Sequence, residues 1–345
     1  MLKIYTLNEA DQWDRVVRTF ADYDVYYLSG YAKSLQVHGD GEPLLVSYSS
    51  EQLRAIQVVI KRAIGEDIRF AGKLEEDLYD LITPYGYGGW LIEGEAGVSD
   101  LMEAYDRWCR ENRIVAEFIR FHPVLSNQEA VRDYYEVVPL GATVAMDVTS
   151  AETVWNNLTS KNRNMVRKAQ KNGLKVYRAT DPGIYETFRE IYNRTMDKDH
   201  ADPYYYFEDA YYKTLREDLS GNSQVFYAQT EDGRVAAASI MLYANGRLNY
   251  HLSGSDVELQ RLAPTNLLLY EAACWGSENG CRTFHLGGGI GAHDDSLLAF
   301  KKAFYRGDTC RYHVGKRIID RNAYDLLCGL RDRQPQGTFF PAYRE

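Results

Sequence analysis

Two neighbouring lysines in the segment Phe300-Lys301-Lys302-Ala303-Phe304 have the type and spacing needed for electrostatic catalysis. In a helix, Phe300 and Phe304 lie four residues apart on one face, so we expect their rings to be buried together and the two lysines to point in different directions. A compact ammonium in a sheltered cleft can stabilise charge that develops on a carbonyl oxygen. Lys301 is therefore the first catalytic candidate, and a solvated surface pair is the alternative for both lysines.

A basic helix upstream is the second candidate, predicted as one long helix over residues 151–173. Its Arg163, Arg167 and Lys171 follow one another at steps of four and flank an apolar stripe. Six Lys or Arg and no acidic residue lie between residues 160 and 176, although the whole chain carries a formal net charge of −9. This concentration predicts a phosphate-binding edge, for the diphosphate of a precursor or for a tRNA acceptor stem. A solvated helix face is the alternative.

The glycine-rich stretch HLGGGIGAHDDS precedes the lysine pair. It matches the dinucleotide-binding pattern GxGxxA in a formal sense, and a predicted strand, RTFHL, comes before it. A dinucleotide fold also needs a long helix, a second parallel strand and an acidic residue about 20 residues further on. Only a short predicted helix and a closing strand follow here, and the Walker pattern is missing. We therefore expect His285, Gly287, Gly288 and Gly289 to surround the transferred group rather than a nucleotide phosphate.

Aromatic residues in two further segments are candidates to line a substrate site. In TPYGYGGW, small residues around Tyr85 and Tyr87 would let a backbone approach a ligand that the rings then cover. Tyr205 and Tyr206 lie in a predicted loop before a helix and are expected to line an acceptor channel. Core packing is the alternative for all four. His251, on a predicted strand, is a further candidate for substrate contact, and no residue is assigned as the general base.

Length and composition restrict the class of protein. The chain of 345 residues is long enough for two domains. It has no basic and apolar leader and no run of 18 apolar residues, which predicts a soluble cytoplasmic protein. Its five cysteines are scattered, so neither a disulfide framework nor a metal site is indicated. The negative net charge argues against general nucleic-acid binding, because it repels phosphates unless a local basic patch overrides it.

The order of predicted elements in the second half is that of GNAT acyltransferases. Three strands joined by the turn signals EDGR and ANGR are followed by a helix from Pro264, a strand, a short helix and a last strand. In that fold the pyrophosphate of acyl-CoA binds a glycine-rich turn at the start of the helix. Here Pro264, Thr265 and Asn266 occupy this donor site, and they lack glycine's open backbone. Binding of acyl-CoA is therefore expected to be weakened.

The two halves of the chain contain similar segments. Each segment predicts a helix that contains Trp and Cys, an Asn or Gly at which the helix ends, and a strand that contains a His. The two segments are DRWCRENRIVAEFIRFHP and ACWGSENGCRTFHLGG. Their Glu-Asn pairs begin at residues 111 and 278, which lie 167 residues apart (278 − 111). A duplicated domain explains this spacing. We therefore expect an N-terminal domain over residues 1–140 and a C-terminal domain over residues 141–345.

Three segments together resemble the FemABX peptidyltransferases, mainly over residues 145–320. They are LAPTNLLLYEAACWGSENGCRTFHLGGG, LLAFKKAFYRG and SKNRNMVRKAQKNG. Those proteins attach amino acids from aminoacyl-tRNA to peptidoglycan precursors. The resemblance implies an α/β (α+β) fold of two tandem GNAT-like domains, each a mixed, largely antiparallel sheet flanked by helices, with a cleft between them. It also implies that Lys301, in an F-K-x-x-F motif after Phe300, stabilises charge as an amine attacks an ester carbonyl. An R-x-x-x-x-K-A pattern favours Arg163 and Lys168 as substrate-binding residues.

The sequence thus predicts a transferase that moves an aminoacyl or acyl group onto an amine of a peptidoglycan or cell-surface polysaccharide precursor. The expected donor is aminoacyl-tRNA, with no tightly bound cofactor. Two alternatives stay open: an acyl-CoA-dependent N-acyltransferase acting on an amino-sugar intermediate, and an inert module that binds the precursor. Expected partners are a nucleotide- or lipid-linked precursor and a tRNA acceptor stem, with a peripheral approach to a membrane as a further option. The donor, the acceptor, the general base and the oligomeric state are left open.

Overall fold

The computed structural model describes residues 1–331 and 337–345. It divides into two compact units, Met1–Leu140 with Tyr312–Glu345, and Gly141–Arg311. The expected domain assignment differs from this division in its last segment, because strand β13 (Cys310–Ile318) pairs with β6 (Ile114–Arg120) of the first unit.

The first unit is a mixed sheet flanked by helices. Its strands lie in the order β1-β2-β3-β4-β6-β13, and β5 also pairs with β3. Within the described residues of this unit, β4 and β6 form the parallel pair, and the other neighbouring strands are antiparallel. Besides β6 and β13, the elements are β1 (Leu2–Tyr5), α1 (Ala10–Val17), α2 (Ser29–His38), β2 (Glu42–Ser49), β3 (Leu53–Ala63), β4 (Tyr79–Ile82), β5 (Leu91–Gly94), α3 (Ser99–Glu111) and α10 (Arg321–Gly329).

The second unit repeats this plan. Its strands lie in the order β7-β12-β11-β10-β9-β8, and here β11 and β12 form the parallel pair. The meander β9-β10-β11 and its turns are as predicted, and Asn245 and Gly246 take the positive φ values that a tight turn requires. The elements are β7 (Glu136–Asp147), α4 (Ala151–Asn157), α5 (Ser160–Lys171), β8 (Lys175–Ala179), α6 (Pro182–Lys198), α7 (Asp209–Glu217), β9 (Ser223–Gln229), β10 (Val235–Ala244), β11 (Arg247–Ser255), α8 (Pro264–Glu278), β12 (Thr283–Gly288) and α9 (Ser296–Lys302).

The two units end their crossover helices in the same way. The Asn112 side chain donates a hydrogen bond to the Trp108 carbonyl at the end of α3, and Asn279 does the same to Trp275 at the end of α8, at 2.9 and 2.8 Å. The strand that follows each helix forms a parallel pair, β6 with β4 in the first unit and β12 with β11 in the second. The predicted fold class, a mixed and largely antiparallel sheet flanked by helices in each of two related units, is therefore confirmed.

The long helix predicted over residues 151–173 is wrong, because the chain forms two helices there. Leu158 is extended between α4 and α5, and the Thr159 hydroxyl caps α5 by accepting a hydrogen bond from the backbone N–H of Asn162 at 3.2 Å. A threonine cap offers the backbone an alternative to continuing the helix. The break turns α5 into a separate element with its own buried face.

The two faces of the sheet in the second unit can be told apart by the hydrophobic core that packs on one of them. Val144, Leu248, Phe284 and Leu286 belong to one cluster with the buried residues of α8 and α9, so we call this side the α8 face. Residues next to them in sequence point to the opposite face, since side chains alternate along a strand. Within the described residues, no helix combines the length and the apolar character that a membrane crossing needs.

Candidate active site

The parallel strands β11 and β12 part in the middle of the second sheet. Their paired residues end at Asn249 and His285, although β11 continues to Ser255 and β12 to Gly288. Beyond this point β11 pairs with β10 and β12 pairs with β7. The register also shifts so that His251 is an extra residue opposite β10, which is a β-bulge. Bulges re-aim side chains and are common beside active sites.

Lys301 lies at this opening. Its Nζ donates a hydrogen bond to the Gly288 carbonyl at the end of β12, at 2.6 Å, and lies 5.8 Å from the centre of the Tyr250 ring. The residue is 7% exposed. An ammonium has three donors, and among the described residues Gly288 is its one hydrogen-bond acceptor. Two N–H groups of a buried cation are thus open to a ligand.

Burial lowers the pKa of Lys301 from 10.5 to about 8, and the carboxylate of Asp295 opposes part of this change. Lys302 differs, since its Nζ lies 3.5 Å from an oxygen of the exposed Asp294. The rings of Phe300 and Phe304 meet edge to face, with centroids 5.2 Å apart. The two lysines therefore point apart, as the helical spacing predicts, and Lys301 is the one held in the protein.

Asp295 fixes the position of Lys301. It is the N-cap of α9 and accepts hydrogen bonds from the backbone N–H of Leu298 at 2.8 Å and of Ile290 at 2.9 Å. These bonds lower its pKa. Gly289 is needed for this closure, because a Cβ there would lie 2.4 Å from an Asp295 carboxylate oxygen. The glycines thus shape the turn itself, and the Gly288 carbonyl is the atom that they bring to Lys301.

Polar side chains cross three strands on the face opposite α8. Asn249 pairs with His285, and His285 pairs with Ala145 of β7. Thr143, two residues before Ala145, lies on the same face. Thr143, Asn249 and His285 are buried. We call these three residues the polar row; it begins where β11 and β12 part.

His251 lies next to the polar row and is held by α7. Its Nε2 lies 2.6 Å from the hydroxyl of Tyr211. Burial lowers the pKa of His251 to about 3, so the imidazole is neutral at physiological pH. It can exchange a hydrogen bond with a substrate but is a poor acceptor of a full proton.

Asn162 ties three helices together below Lys301. Its side-chain N–H₂ donates to the carbonyl of Ala303, just past α9, at 3.3 Å, and its oxygen accepts from Asn266 of α8 at 2.7 Å. The residue is 1% exposed. The sequence analysis did not identify Asn162. The signal available for it was a polar residue on the buried face of α5, in line with Val166 and Ala169.

The basic side of α5 is open to solvent. Arg167 and Lys168 are exposed and Arg163 is half-buried. Arg163 lies 3.5 Å from the Ser160 hydroxyl, and the Arg167 guanidinium lies 5.1 Å from the centre of the Trp155 ring. In the part of the chain that the structure describes, neither these three residues nor Lys161 and Lys171 form an ion pair. This surface is therefore available to an anion.

The start of α8 lies beside α5, through the contact between Asn266 and Asn162. Pro264 is buried at the first position of the helix, after Ala263 with φ of +61°. Thr265 and Asn266 are half-buried. A helix N-terminus attracts anions, but Pro264 has no N–H to offer. These residues therefore differ from a glycine-rich pyrophosphate turn.

In the first unit, Tyr85 and Tyr87 belong to a packed aromatic cluster. The hydroxyl of Tyr31 donates to the Tyr85 carbonyl at 2.5 Å. The Tyr87 ring meets those of Tyr26 and Tyr312 edge to face, at 5.8 and 5.5 Å. A Cβ on Gly86 would lie 2.5 Å from the Tyr26 ring. Internal packing thus explains Gly86, while both tyrosine side chains remain half-buried.

Tyr205 and Tyr206 lie between α6 and α7 and are half-buried. The Tyr206 hydroxyl donates to Asp197 at 2.8 Å, which raises its pKa. Tyr205 meets Tyr204 edge to face at 5.4 Å. A separate open groove of about 610 Å³, between α6 and the β9-β10 hairpin, includes none of the predicted site residues.

Comparison with known proteins finds a family model that matches part of the second unit. Residues 160–302 match the family model described as an acetyltransferase (GNAT) domain, a segment that contains α5, the polar residues of β11 and β12, and Lys301. The chain is an acyltransferase, so the alternative of an inert binding module is not supported.

Solved structures extend the similarity to both units. The crystal structure of FemX matches with a TM-score of 0.67 at 16% identity, covering 94% of this chain and 99% of that one. The C-terminal domain of a putative lysylphosphatidylglycerol synthetase from Agrobacterium fabrum matches with a TM-score of 0.55 at 14% identity, covering 90% and 91%. A tandem GNAT protein from the clavulanic acid biosynthesis pathway matches with a TM-score of 0.50 at 10% identity, covering 92% and 99%.

No curated protein sequence matches this chain. At such low identities the structural matches establish the fold. They confirm the predicted tandem GNAT-like architecture and, at the level of fold, the predicted resemblance to FemABX proteins.

Replacing Lys301 with Met should stabilise the fold near neutral pH. Below pH 8 both the native and the unfolded chain hold the proton, so the cost of burying the ammonium is fully present. Between pH 8 and 10.5 the native lysine releases its proton before the unfolded one does, so wild-type stability rises with pH. Lys301→Met should therefore gain up to about 3 kcal/mol in free energy of unfolding at pH 7 and less at pH 9.5.

Urea unfolding at the two pH values measures this difference, with Lys302→Met as the matched control. A Lys301→Met variant that loses the same stability at both pH values would contradict the buried-ammonium description.

Proposed function

We propose that this protein transfers an aminoacyl group from aminoacyl-tRNA to an amine of a peptidoglycan or cell-surface polysaccharide precursor. The observation that carries the proposal is the buried Lys301 ammonium, with two open N–H groups, beside the strands that part. A buried cation lowers the stability of the fold. The same cation can stabilise negative charge that develops during a reaction, which explains its burial at an active site.

Acyl transfer would use this geometry as follows. The amine nitrogen forms a bond to the ester carbonyl carbon, and the carbonyl oxygen becomes an oxyanion that accepts a hydrogen bond from Lys301. The bond from carbon to the ribose oxygen then breaks. The nitrogen gives up one proton and the leaving oxygen takes up one. Lys301 stays intact throughout.

The donor is proposed from the surface around α5 and α8. Phosphates of an RNA acceptor stem fit Arg163, Arg167 and Lys168, which form no ion pair with the described residues. Pro264, with Thr265 and Asn266, is a poor cradle for the pyrophosphate of acyl-CoA, since a close approach to the backbone is hindered. The similarity to the C-terminal domain of a protein named as a putative lysylphosphatidylglycerol synthetase also supports an aminoacyl donor.

The acceptor is proposed to contact residues with both an apolar face and a polar tip. We assign this contact to Tyr205, Tyr206 and His251 in the second unit. Tyr85 and Tyr87 of the first unit are proposed separately, as residues for substrate contact within that unit. Their rings are half-buried, so each keeps a surface for a sugar or peptide stem. His285 and the Gly287–Gly289 turn are proposed to border the transferred group, and Phe300 is proposed as a substrate-binding residue beside Lys301.

A transfer assay tests the proposal and separates the donors. The acceptor probe is UDP-N-acetylmuramoyl-pentapeptide, and the donors are a mixture of tRNAs charged with radiolabelled amino acids or radiolabelled acetyl-CoA. We expect label in the acceptor from the charged tRNAs, abolished by RNase. Lys301→Met should lower kcat by about 100-fold or more, whereas Lys302→Met should leave it essentially unchanged. Label from acetyl-CoA alone, or full activity in Lys301→Met, would contradict the proposal.

The basic side of α5 makes a separate prediction about RNA binding. Replacing Arg163 or Lys168 with Gln should weaken tRNA binding and lower the slope of log K against log salt concentration by about 1 for each lost phosphate contact. Lys213→Gln on α7, whose lysine lies 4.0 Å from Glu217, is the control. Titration of uncharged tRNA at several KCl concentrations measures the slope. Equal slopes for all variants would remove α5 from the donor site.

A further inference from the structure

Thr143 holds a buried hydroxyl group without a partner. The residue is 2% exposed, and its Oγ1 has no hydrogen-bond partner among the described residues. Two other buried hydroxyls of this unit are satisfied: that of Thr214 donates to the Ala210 carbonyl at 2.9 Å, and that of Ser239 to the Leu252 carbonyl at 2.8 Å. The Tyr212 hydroxyl, on α7, is also without a partner among the described residues, but it lies on no strand next to Lys301. An unpaired buried hydroxyl is costly. The hydrogen-bonding capacity of the Thr143 hydroxyl is not used within the described residues.

The position of Thr143 points to the reacting centre. Thr143 pairs with Gly288 across β7 and β12, and a Cβ built on Gly288 would lie 3.5 Å from the Thr143 Cγ2. The Gly288 carbonyl is the acceptor for Lys301 at 2.6 Å. Gly288 thus contacts the Lys301 ammonium through its carbonyl, and the Thr143 side chain lies beside its Cα. Thr143 also shares its sheet face with His285 in the polar row.

The two groups are complementary in chemistry. Lys301 can only donate hydrogen bonds, whereas a threonine hydroxyl can also accept them. The attack of an amine on a carbonyl requires both kinds of group. The N–H groups of the amine need a hydrogen-bond acceptor, and the oxygen of the carbonyl needs a donor. We propose that the Thr143 hydroxyl accepts a hydrogen bond from the attacking amine and holds its lone pair towards the carbonyl carbon.

This inference rests on the proposed aminoacyl transfer and adds a positioning residue for the acceptor. Thr143 forms and breaks no covalent bond. The nitrogen-to-carbon bond forms, the ester bond breaks, and the proton that leaves the nitrogen is balanced by the one that the leaving oxygen takes up. Orienting the amine lowers the entropy cost of the attack, so the loss of the hydroxyl should be seen in the kinetics of the acceptor rather than of the donor.

Thr143→Val removes the hydroxyl and keeps the shape of the side chain. With charged tRNA and UDP-N-acetylmuramoyl-pentapeptide as probes, we expect KM for the pentapeptide to rise roughly tenfold while KM for the charged tRNA is unchanged. Thr143→Ser should restore KM to near the wild-type value. Because no protein partner is lost, Thr143→Val should melt at or above the wild-type temperature, whereas the control Thr214→Val, which removes the hydrogen bond from the Thr214 hydroxyl to the Ala210 carbonyl, should melt lower.

An unchanged KM for the pentapeptide in Thr143→Val, or a loss of stability like that of Thr214→Val, would overturn the assignment of Thr143 and leave the proposed function intact. If the wild-type protein transfers nothing from charged tRNA, the proposed function fails and this inference fails with it.

Discussion

Burial of one ammonium group constrains the architecture of the second unit. Lys301 can remain in the protein only if its charge is partly satisfied, and the Gly288 carbonyl does this at 2.6 Å. That contact requires β12 to end where α9 can reach it, and α9 is placed by the cap at Asp295. The resulting pKa of about 8 leaves the lysine mostly charged at neutral pH. The fold is thus less stable than it would be with an apolar residue at this position. Such a local cost is expected at a functional site.

The opening between β11 and β12 gives this cation access to two sides of one sheet. Tyr250 belongs to the core of the α8 face, where Lys301 lies over its ring. The polar row lies on the other face, next to His251 and its partner Tyr211. A donor that approaches α5 and the start of α8, and an acceptor that approaches the polar row, would meet where the strands part. The open basic surface of α5 and the neutral imidazole fit these different tasks.

Local rules predicted the elements that local interactions determine. The helix that starts at Pro264, the turn at Asn245 and Gly246, and the opposite directions of Lys301 and Lys302 all follow from the conformations and spacings of nearby residues. The break at Leu158 was missed because the apolar periodicity runs through it, and the cap at Thr159 acts against that pattern. A helix boundary of this kind is decided by one hydrogen bond, which composition does not reveal.

Features that depend on distant residues were not predictable from one sequence. Asn162 looks like any polar residue of a basic helix until α8 and α9 pack around it. The unpaired hydroxyl of Thr143 exists only because β7 pairs with β12. The bulge at His251 is a property of the register between two strands. In the first unit, Tyr85 and Tyr87 were expected to line a substrate site. The close packing of Gly86 on the Tyr26 ring also explains why the residue between them is a glycine.

The central claim is that Lys301 contacts the carbonyl group being transferred. The most direct test is a crystal structure with a stable donor analogue, a short RNA ending in CCA whose amino acid is joined to the terminal ribose by an amide. We predict that the amide carbonyl oxygen lies within about 3.2 Å of the Lys301 Nζ, between β11 and β12. An analogue bound with its carbonyl remote from Lys301, and with the Lys301 environment unchanged, would contradict it.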